Sequence, residues 1–347
     1  MTATIRIATV GTGFFARFHH EAWARMDDVA LVGVASLDKT SATEFAKTFS
    51  IPEIFTDAAA MLDEVKPDLL DIAAPPDAHL ELISEAAKRD IAVICQKPFC
   101  GTLDQARKAV ALAEDAGILL VVHENFRWQP WYGEIKSQLD SGALGTLYQA
   151  SFRLRPGDGQ GPNAYLDRQP YFQKMERFLV HETLIHLIDV FRFLLGEPTR
   201  IFAALRQLNP AIAGEDAGII LMDFAHPTRG LIDGNRLADH AAENRRLVMG
   251  EMLLEGSQAT LSLSGDGRLF IRPSGENSRQ EISYAWEDRA YAGDCVYRFQ
   301  RHVVEHLRGH GPVCNTGADY LANIMIEEAA YASSERGRWV DITGPFA

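Results

Sequence analysis

The sequence predicts an α/β protein of two domains: an N-terminal doubly wound parallel sheet, then an α/β domain built on a large, mainly antiparallel open sheet. Three observations predict it. The first third of the chain alternates short β-branched runs with longer helical patterns. The full length of 347 residues exceeds the size at which one hydrophobic core usually stops growing, and 47% apolar residues can supply two. From residue 201 onward, strand patterns follow one another across hairpin-like turns.

Taken in order, β-branched runs over residues 5–10, 30–35, 69–73, 91–94 and 118–122 alternate with helical periods over 16–26, 40–49, 78–89 and 103–116. Strands buried on both faces and joined by helices imply parallel pairing with right-handed crossovers. After His123 an aromatic-rich stretch (Phe126, Trp128, Trp131, Tyr132) leads into a helix ending near Ser141-Gly142, then a strand over 148–154. A boundary is therefore expected near residue 125, giving domains of residues 1–125 and 126–347. Residues 156–171, broken by Gly and Pro, read as a long loop, and loops of that length inside compact domains are usually functional. A helix over 179–195 stops at Gly196. Strands follow over 201–208, 217–224, 231–237, 247–255, 259–263, 269–272 and 281–284, and helices over 295–308 and 317–334 close the chain.

Composition narrows the function classes. The 47 acidic against 34 basic side chains leave a formal charge of -13, which repels nucleic acid and anionic membrane, and no run of Lys/Arg offsets it. Neither partner is expected. No stretch of about 18 uninterrupted apolar residues offers a membrane span. The first ten residues lack a basic start, an apolar core and a cleavage site, so secretion is not expected. Cys95, Cys100, Cys295 and Cys314 form no C-x-x-C or Cys/His cluster, which fits free thiols in a reducing cytoplasm.

Gly11-x-Gly13-x-x-Ala16 directly follows a strand and opens a helix, the context a dinucleotide-binding turn requires. The first Gly permits the tight turn, the second lets backbone approach a pyrophosphate, and the small third residue allows close helix-to-strand packing. Exposed N–H groups at the helix start would face the phosphates. An ordinary strand-to-helix turn is the plain alternative. The next strand ends at Ser36, followed by Leu37, Asp38 and Lys39. Ser36 removes the carboxylate that would repel a 2′-phosphate and Lys39 favours one, whereas Asp38 is close enough to serve NAD. NAD and NADP both stay open.

Two further segments carry chemistry. Lys97, in Gln96-Lys97-Pro98, follows a strand at the C-terminal sheet edge, where ligands of open α/β sheets bind. A strand-end lysine is otherwise a solvated charge. On the helix over 179–195, at about 100° per residue, Glu182 and His186 lie about 40° apart and Asp189 follows one turn later. Burying such a stripe is costly without partners, so it should line a polar cavity or a domain interface. A zinc-protease reading of His181-Glu182 with His186 fails on spacing, because the two histidines are five apart and point about 140° away from each other. No metal is expected.

Five segments together resemble one family, the glucose-fructose oxidoreductase, inositol dehydrogenase and MocA oxidoreductases. They are residues 11–16 with His19 and His20, residues 73–79 (AAPPDAH), Gln96-Lys97-Pro98, residues 123–130 (HENFRWQP) and residues 182–189 (ETLIHLID). The resemblance covers nearly the whole chain. It implies a Rossmann domain and an α/β domain whose open sheet forms homodimers or homotetramers. It also implies NAD or NADP against Gly11, Thr12, Gly13, Phe14, Phe15, Ser36, Leu37, Asp38, Ala74, Pro75, His79, Gln96, Lys97 and Asn125. Lys97 looks like the family lysine that contacts the nicotinamide ribose and the reacting hydroxyl, His186 like the proton-transfer residue, and Glu182 like the carboxylate that orients it. An imidazole with an ordinary pKa of about 6.5 can accept a proton at neutral pH.

Three departures stand out: Gln96 replaces the usual Glu, Glu182 the usual Asp, and Ala74 a common Thr. Substrate hydroxyls are expected to meet Lys97, Asn125, Arg127, Tyr165, Tyr171, Gln173, Glu182 and His186, although Arg127 and Trp128 suit interface packing equally, and Phe126 and Trp131 read as core. The implied reaction is oxidation of a sugar or polyol hydroxyl. Residues 93–99 and Gln169-Pro170-Tyr171 resemble dehydrogenases of D-apiose, which points to an aldose, a pentose among them, oxidised to its lactone. An inositol-type polyol dehydrogenase and a glycosidase using NAD without net redox are the alternatives.

Overall fold

The computed structural model describes residues 4–342, and by contacts the chain divides into two compact units, Met1–Asn125 with Val296–Ala322, and Phe126–Cys295 with Asn323–Ala347. In the first, β1 (Ile5–Val10), β2 (Val29–Ala35), β3 (Ile54–Phe55), β4 (Leu69–Ile72), β5 (Ala92–Gln96) and β6 (Leu120–His123) form a six-stranded sheet in the order β3-β2-β1-β4-β5-β6. Every pairing is parallel. The chain therefore builds outward from β1 to β3, then restarts at β4 on the other side. That reversal leaves a crevice at the C-terminal ends of β1 and β4, the place where this topology binds ligands.

Helices α1 (Ala16–Ala24), α2 (Lys39–Phe49), α3 (Ala58–Val65), α4 (His79–Ala87) and α5 (Leu103–Ala116) make the crossovers. Their ends follow local chemistry. Asp38 caps α2 by accepting from the amides of Thr40 and Ser41 at 2.9 and 3.2 Å, and Thr102 caps α5 through Gln105 N at 3.2 Å. Gly117, at φ 69°, ends α5 in the left-handed conformation that favours glycine. The two-residue β3 and the short α3 fall in residues 50–68, where the sequence pattern predicts neither.

The second unit holds α6 (Pro130–Asp140), β7 (Leu147–Leu154), a π-helical turn (Leu179–Leu184) running into α7 (Ile185–Leu195), and strands β8 (Pro198–Arg206), β9 (Ala217–Phe224), β10 (Arg229–Asn235), β11 (Gly250–Gly256), β12 (Ala259–Leu263), β13 (Leu269–Pro273) and β14 (Gln280–Ile282). After α8 (Cys295–Leu307) and α9 (Gly317–Arg336), β15 (Val340–Asp341) completes a nine-stranded sheet ordered β14-β13-β12-β11-β7-β10-β9-β8-β15. Only β7 with β10 pairs parallel, so the sheet is mainly antiparallel as expected. Alternation along β7, β9 and β10 buries every second residue, and Ala150, Phe152, Ile220 and Ile232 are fully buried.

All four cysteines are free thiols. Among the described residues no helix is long and apolar enough to cross a membrane.

Candidate active site

The glycine turn sits at the C-terminal end of β1. Gly11 has φ 104°, and a Cβ there would run into the carbonyl oxygen of Ala73, so only glycine lets the turn pass the end of β4. At Gly13 a Cβ would meet nothing within 4 Å, leaving the backbone open to a ligand. No side chain caps the N-terminus of α1 and its first turn carries no acidic residue. Uncapped amides beside an exposed glycine fit a pyrophosphate. Phe14 is half exposed at the turn.

At the end of β2 a chain of hydroxyls replaces the usual carboxylate. Ser41 Oγ donates to Thr12 Oγ1 at 2.8 Å, which donates to Ser36 Oγ at 3.1 Å. Asp38 is close by, but its Oδ1 is held by the cap of α2. Leu37 projects almost fully into solvent. His79 is fully buried and braces two loops: its Nδ1 accepts from Cys100 N at 3.4 Å, so its Nε2–H donates to Ala74 O at 2.9 Å. Burial lowers the His79 pKa. This fixes the Ala74-Pro75 segment after β4 against the loop after β5.

Lys97 leaves β5 half-buried, and Gln96 beside it is bonded on both sides. Gln96 Oε1 accepts from Lys97 N at 2.6 Å, and Gln96 Nε2 lies 3.0 Å from His19 Nε2. Behind His19, Asp71 takes its Nδ1 at 2.9 and 3.0 Å and the Trp23 indole N–H at 2.7 Å. Burial pushes the Asp71 pKa up, but His19, His123 and Trp23 together outweigh that and leave it lowered. Asn125 and Glu124 are buried after β6, and Tyr320 OH donates to Glu124 Oε2 at 3.3 Å.

In the second unit, Glu182 and His186 occupy the π-helical turn and the first turn of α7. The even α-helical step expected across residues 179–195 holds only from Ile185, because residues 179–184 are wound more widely. The buried carboxylate of Glu215 accepts the amides of Phe178 and Val180 at 3.2 and 3.0 Å, together with the Tyr331 hydroxyl at 2.7 Å. Burial and the Glu215 charge raise the Tyr331 pKa far above the ordinary range, so that hydroxyl stays protonated to donate. His181 turns to Glu327 at 2.6 Å. His186, 6% exposed, lies flat on Phe126 with ring centroids 4.0 Å apart.

Asp189, the third member of the ionisable stripe, is fully buried and held by three hydrogen bonds. Arg127 Nε donates to it at 2.6 Å, Arg127 Nη2 also bonds it, and Asn323 Nδ2 donates at 2.9 Å. Of the residues expected to meet substrate, Tyr165 is buried with its hydroxyl taken by Asp158 and Arg236, and Gln173 Nε2 is held by the carbonyls of Pro162 and Ala164. Tyr171 is exposed, and burial of its hydroxyl and then the charge on Glu182 raise its pKa. Among the described residues no cluster of three or more His, Cys, Asp or Glu could hold a metal ion.

Sequence reasoning misses Arg236 and Glu215. Arg236, 2% exposed, bonds Asp158 at 2.8 Å, Tyr165 at 2.7 Å and Thr183 at 2.5 Å, and lies over the rings of Tyr165 and Phe178. It ties the loop over 156–171 to the residue after Glu182. The local pattern around it signals only a strand.

Comparison with known proteins follows the two units. Residues 5–124 match the model described as the oxidoreductase family with an NAD-binding Rossmann fold, and residues 132–252 match the GFO/IDH/MocA C-terminal domain. The chain is 36% identical over 345 residues to the D-apiose dehydrogenase of Paraburkholderia graminis, covering 96% of this chain and 89% of that one. It is 33% identical over 342 residues to the D-apiose dehydrogenase of Rhizobium rhizogenes, covering 96% of each. Among solved structures, an oxidoreductase from Agrobacterium radiobacter in complex with NAD+, L-tartaric acid and magnesium superposes with a TM-score of 0.87 at 30% identity, covering 98% of this chain and 99% of that one.

Proposed function

Because the chain belongs to the GFO/IDH/MocA family of NAD-binding oxidoreductases, we propose that it is an NAD-dependent dehydrogenase oxidising the anomeric hydroxyl of an aldose, D-apiose or another pentose, to the aldonolactone. The observation that carries the substrate class is the likeness to two D-apiose dehydrogenases over 96% of this chain. Residues 1–125 hold the cofactor, and the part of residues 126–347 outside the segment 296–322 that packs with them holds the sugar.

Bound NAD+ supplies the hydride acceptor. The turn from Gly11 to Phe15 holds its pyrophosphate, Ser36, Leu37 and Asp38 its adenosine end, and Ala74, Pro75, Lys97 and Asn125 the nicotinamide side. Lys97 holds the reacting hydroxyl oxygen through its ammonium. His186 takes the hydroxyl proton while the anomeric carbon gives its hydride to the nicotinamide, so the H–C–OH group loses a proton from oxygen and a hydride from carbon and becomes the lactone carbonyl. Glu182 orients His186, and Phe126 fixes the plane of its ring. Tyr171, whose hydroxyl feels the charge of Glu182, reads a further hydroxyl.

The four free thiols suit a reducing cytoplasm. On the outward face of the second sheet, the cross-strand row Leu221, Leu231, Ser151 and Leu253 offers an apolar band for pairing with a second copy, as a homodimer or homotetramer. The test is a 340 nm screen of D-apiose, other aldoses and inositols with NAD and NADP in parallel. D-apiose or another pentose should give the highest kcat/KM, with Lys97→Met and His186→Ala each losing more than tenfold. Turnover of inositols alone would overturn the sugar reading. Glycoside cleavage without absorbance change would overturn the redox one.

A further inference from the structure

The hydrogen bonds behind β5 admit one arrangement of hydrogens. Lys97 N–H can only donate, so the atom it meets on Gln96 at 2.6 Å is the amide oxygen, and the atom of Gln96 that meets His19 Nε2 at 3.0 Å is the amide nitrogen. An amide nitrogen donates and does not accept. His19 Nε2 is therefore the acceptor, and the ring hydrogen sits on Nδ1, where it meets both oxygens of Asp71 at 3.0 and 2.9 Å. Trp23 donates to the same carboxylate at 2.7 Å. Every donor in the string points from Lys97 toward Asp71.

The far end of the string is enclosed as well as aligned. His19 and Asp71 are 0% and 1% exposed. His123 stacks on His19 with centroids 3.9 Å apart, and Gln300 Nε2 donates to the His19 carbonyl at 3.3 Å. Aligned hydrogen bonds in the low-dielectric interior polarise one another. We propose that Asp71, His19 and Gln96 are positioning residues for Lys97, a hydrogen-bonded string that fixes the backbone of the lysine and, through the glutamine amide, selects the Nδ1–H tautomer of the imidazole. The inference rests on the reading that Lys97 holds the reacting oxygen.

Glutamine at residue 96 is the deciding choice. A glutamate would still accept from Lys97 N–H, but its other oxygen would face the lone pair of His19 Nε2. A second proton, held by the ring while both carboxylates stay ionised, relieves that repulsion. Among the described residues, the titratable groups that face the ring are Asp71 from β4, His123 from β6 and His20 on its own helix, and Gln96 from β5 and Gln300 from α8 are neutral. With glutamate in place, the doubly protonated ring would sit between two carboxylates, matched at low pH and mismatched once the proton leaves.

The experiment combines histidine-ring 15N spectra with kinetics on wild type, Gln96→Glu and Gln96→Met, using His19→Gln to assign the resonance. In wild type, the neutral His19 ring should carry its hydrogen on Nδ1 and leave Nε2 bare. In Gln96→Glu the ring should be doubly protonated at pH 6 and lose that proton as pH rises. The kcat of this variant relative to wild type should fall at least fivefold from pH 6 to 8.5. Gln96→Met should lower kcat about tenfold at every pH, with the Kd for ADP, a probe of the glycine turn, unchanged within twofold. A neutral wild-type ring protonated on Nε2, or a kcat ratio flat with pH, overturns the proposal. Absence of sugar or polyol turnover by wild type overturns the dehydrogenase reading instead. The ring spectra, with a Lys97 amide shift that moves in Gln96→Met but little in Gln96→Glu, still decide the string.

Discussion

The imidazole of His186 lies flat against the ring of Phe126, centroids 4.0 Å apart and planes within 5° of parallel. Both are buried, Phe126 from the short turn after β6 and His186 from the start of α7. The contact leaves the ring nitrogens at the edge of the stack and restricts rotation about the last side-chain bond. An aromatic pair of this kind contributes about 0.5–1.5 kcal/mol beyond its burial. Phe126→Leu, which keeps the volume apolar, is expected to lower kcat by about two- to tenfold while the sugar KM changes less than about twofold. Steady-state kinetics at saturating cofactor checks this. An unchanged kcat would mean the ring is oriented by its other neighbours.

That pair shows what could be read in the sequence and what could not. Burial of Phe126 is legible from the aromatic run after His123, but its role is not, because it depends on residue 126 meeting residue 186 across the fold. The glycine turn is legible because its chemistry is local: strand, Gly11, open Gly13 and helix follow one another. The wide winding of residues 179–184 is not, because the carboxylate seated against the amides of Phe178 and Val180 comes from Glu215. Arg236 hides for the same reason, as each hydrogen-bond partner of its guanidinium lies more than fifty residues away.

Arg236 is a buried cation, and its removal leaves several groups without partners. Burial works against its charge, but Asp158 and Tyr165 outweigh that and raise its pKa. Arg236→Met is expected to destabilise the protein by about 3 kcal/mol, the scale for breaking a buried pair. It should also loosen the loop over 156–171, since Tyr165 and Asp158 lose their common anchor. Hydrogen exchange should rise across that loop, and the sugar KM should rise with little change in NAD affinity. Protection of the loop at the wild-type level would show that the apolar cluster of Ala164, Tyr165, Phe172, Phe178 and Ile212 holds it unaided.

Acid should weaken the first unit before carboxylates titrate. His20 is buried with Nδ1 2.8 Å from Ala16 O and Nε2 2.9 Å from Thr9 Oγ1, and burial lowers its pKa below 6.5, as it does for His79. A lowered histidine value means the unfolded chain binds more protons, so this stability is complete above the ordinary value and is lost as pH falls below it. Each such histidine contributes a slope of at most about 1.4 kcal/mol per pH unit. Urea midpoints should therefore drop between pH 7.5 and 5.5, and less so in His20→Gln, which keeps a polar side chain that does not titrate. Equal drops in the two proteins would place the acid sensitivity elsewhere. Asp71 acts in a different window: its pKa is lowered, so its contribution is lost only as pH falls below the ordinary carboxylate value.

Cofactor choice turns on the end of β2. A carboxylate there accepts the ribose hydroxyls of NAD and repels the 2′-phosphate of NADP. Here the strand ends in Ser36, whose Oγ accepts from Thr12, and the nearby Asp38 is bound by the amides that open α2. Ser36→Asp is expected to raise the ratio of kcat/KM for NAD over NADP at least tenfold, chiefly through a higher KM for NADP, which corresponds to about 1.4 kcal/mol of added discrimination. Asp38→Ala separates the two carboxylate positions. If Asp38 serves only as the cap, its loss costs about 1 kcal/mol of stability and leaves the cofactor ratio unchanged. If Asp38→Ala moves the ratio toward NADP instead, the cap carboxylate is what excludes the phosphate, and the hydroxyl chain from Ser41 through Thr12 to Ser36 is a brace for the glycine turn.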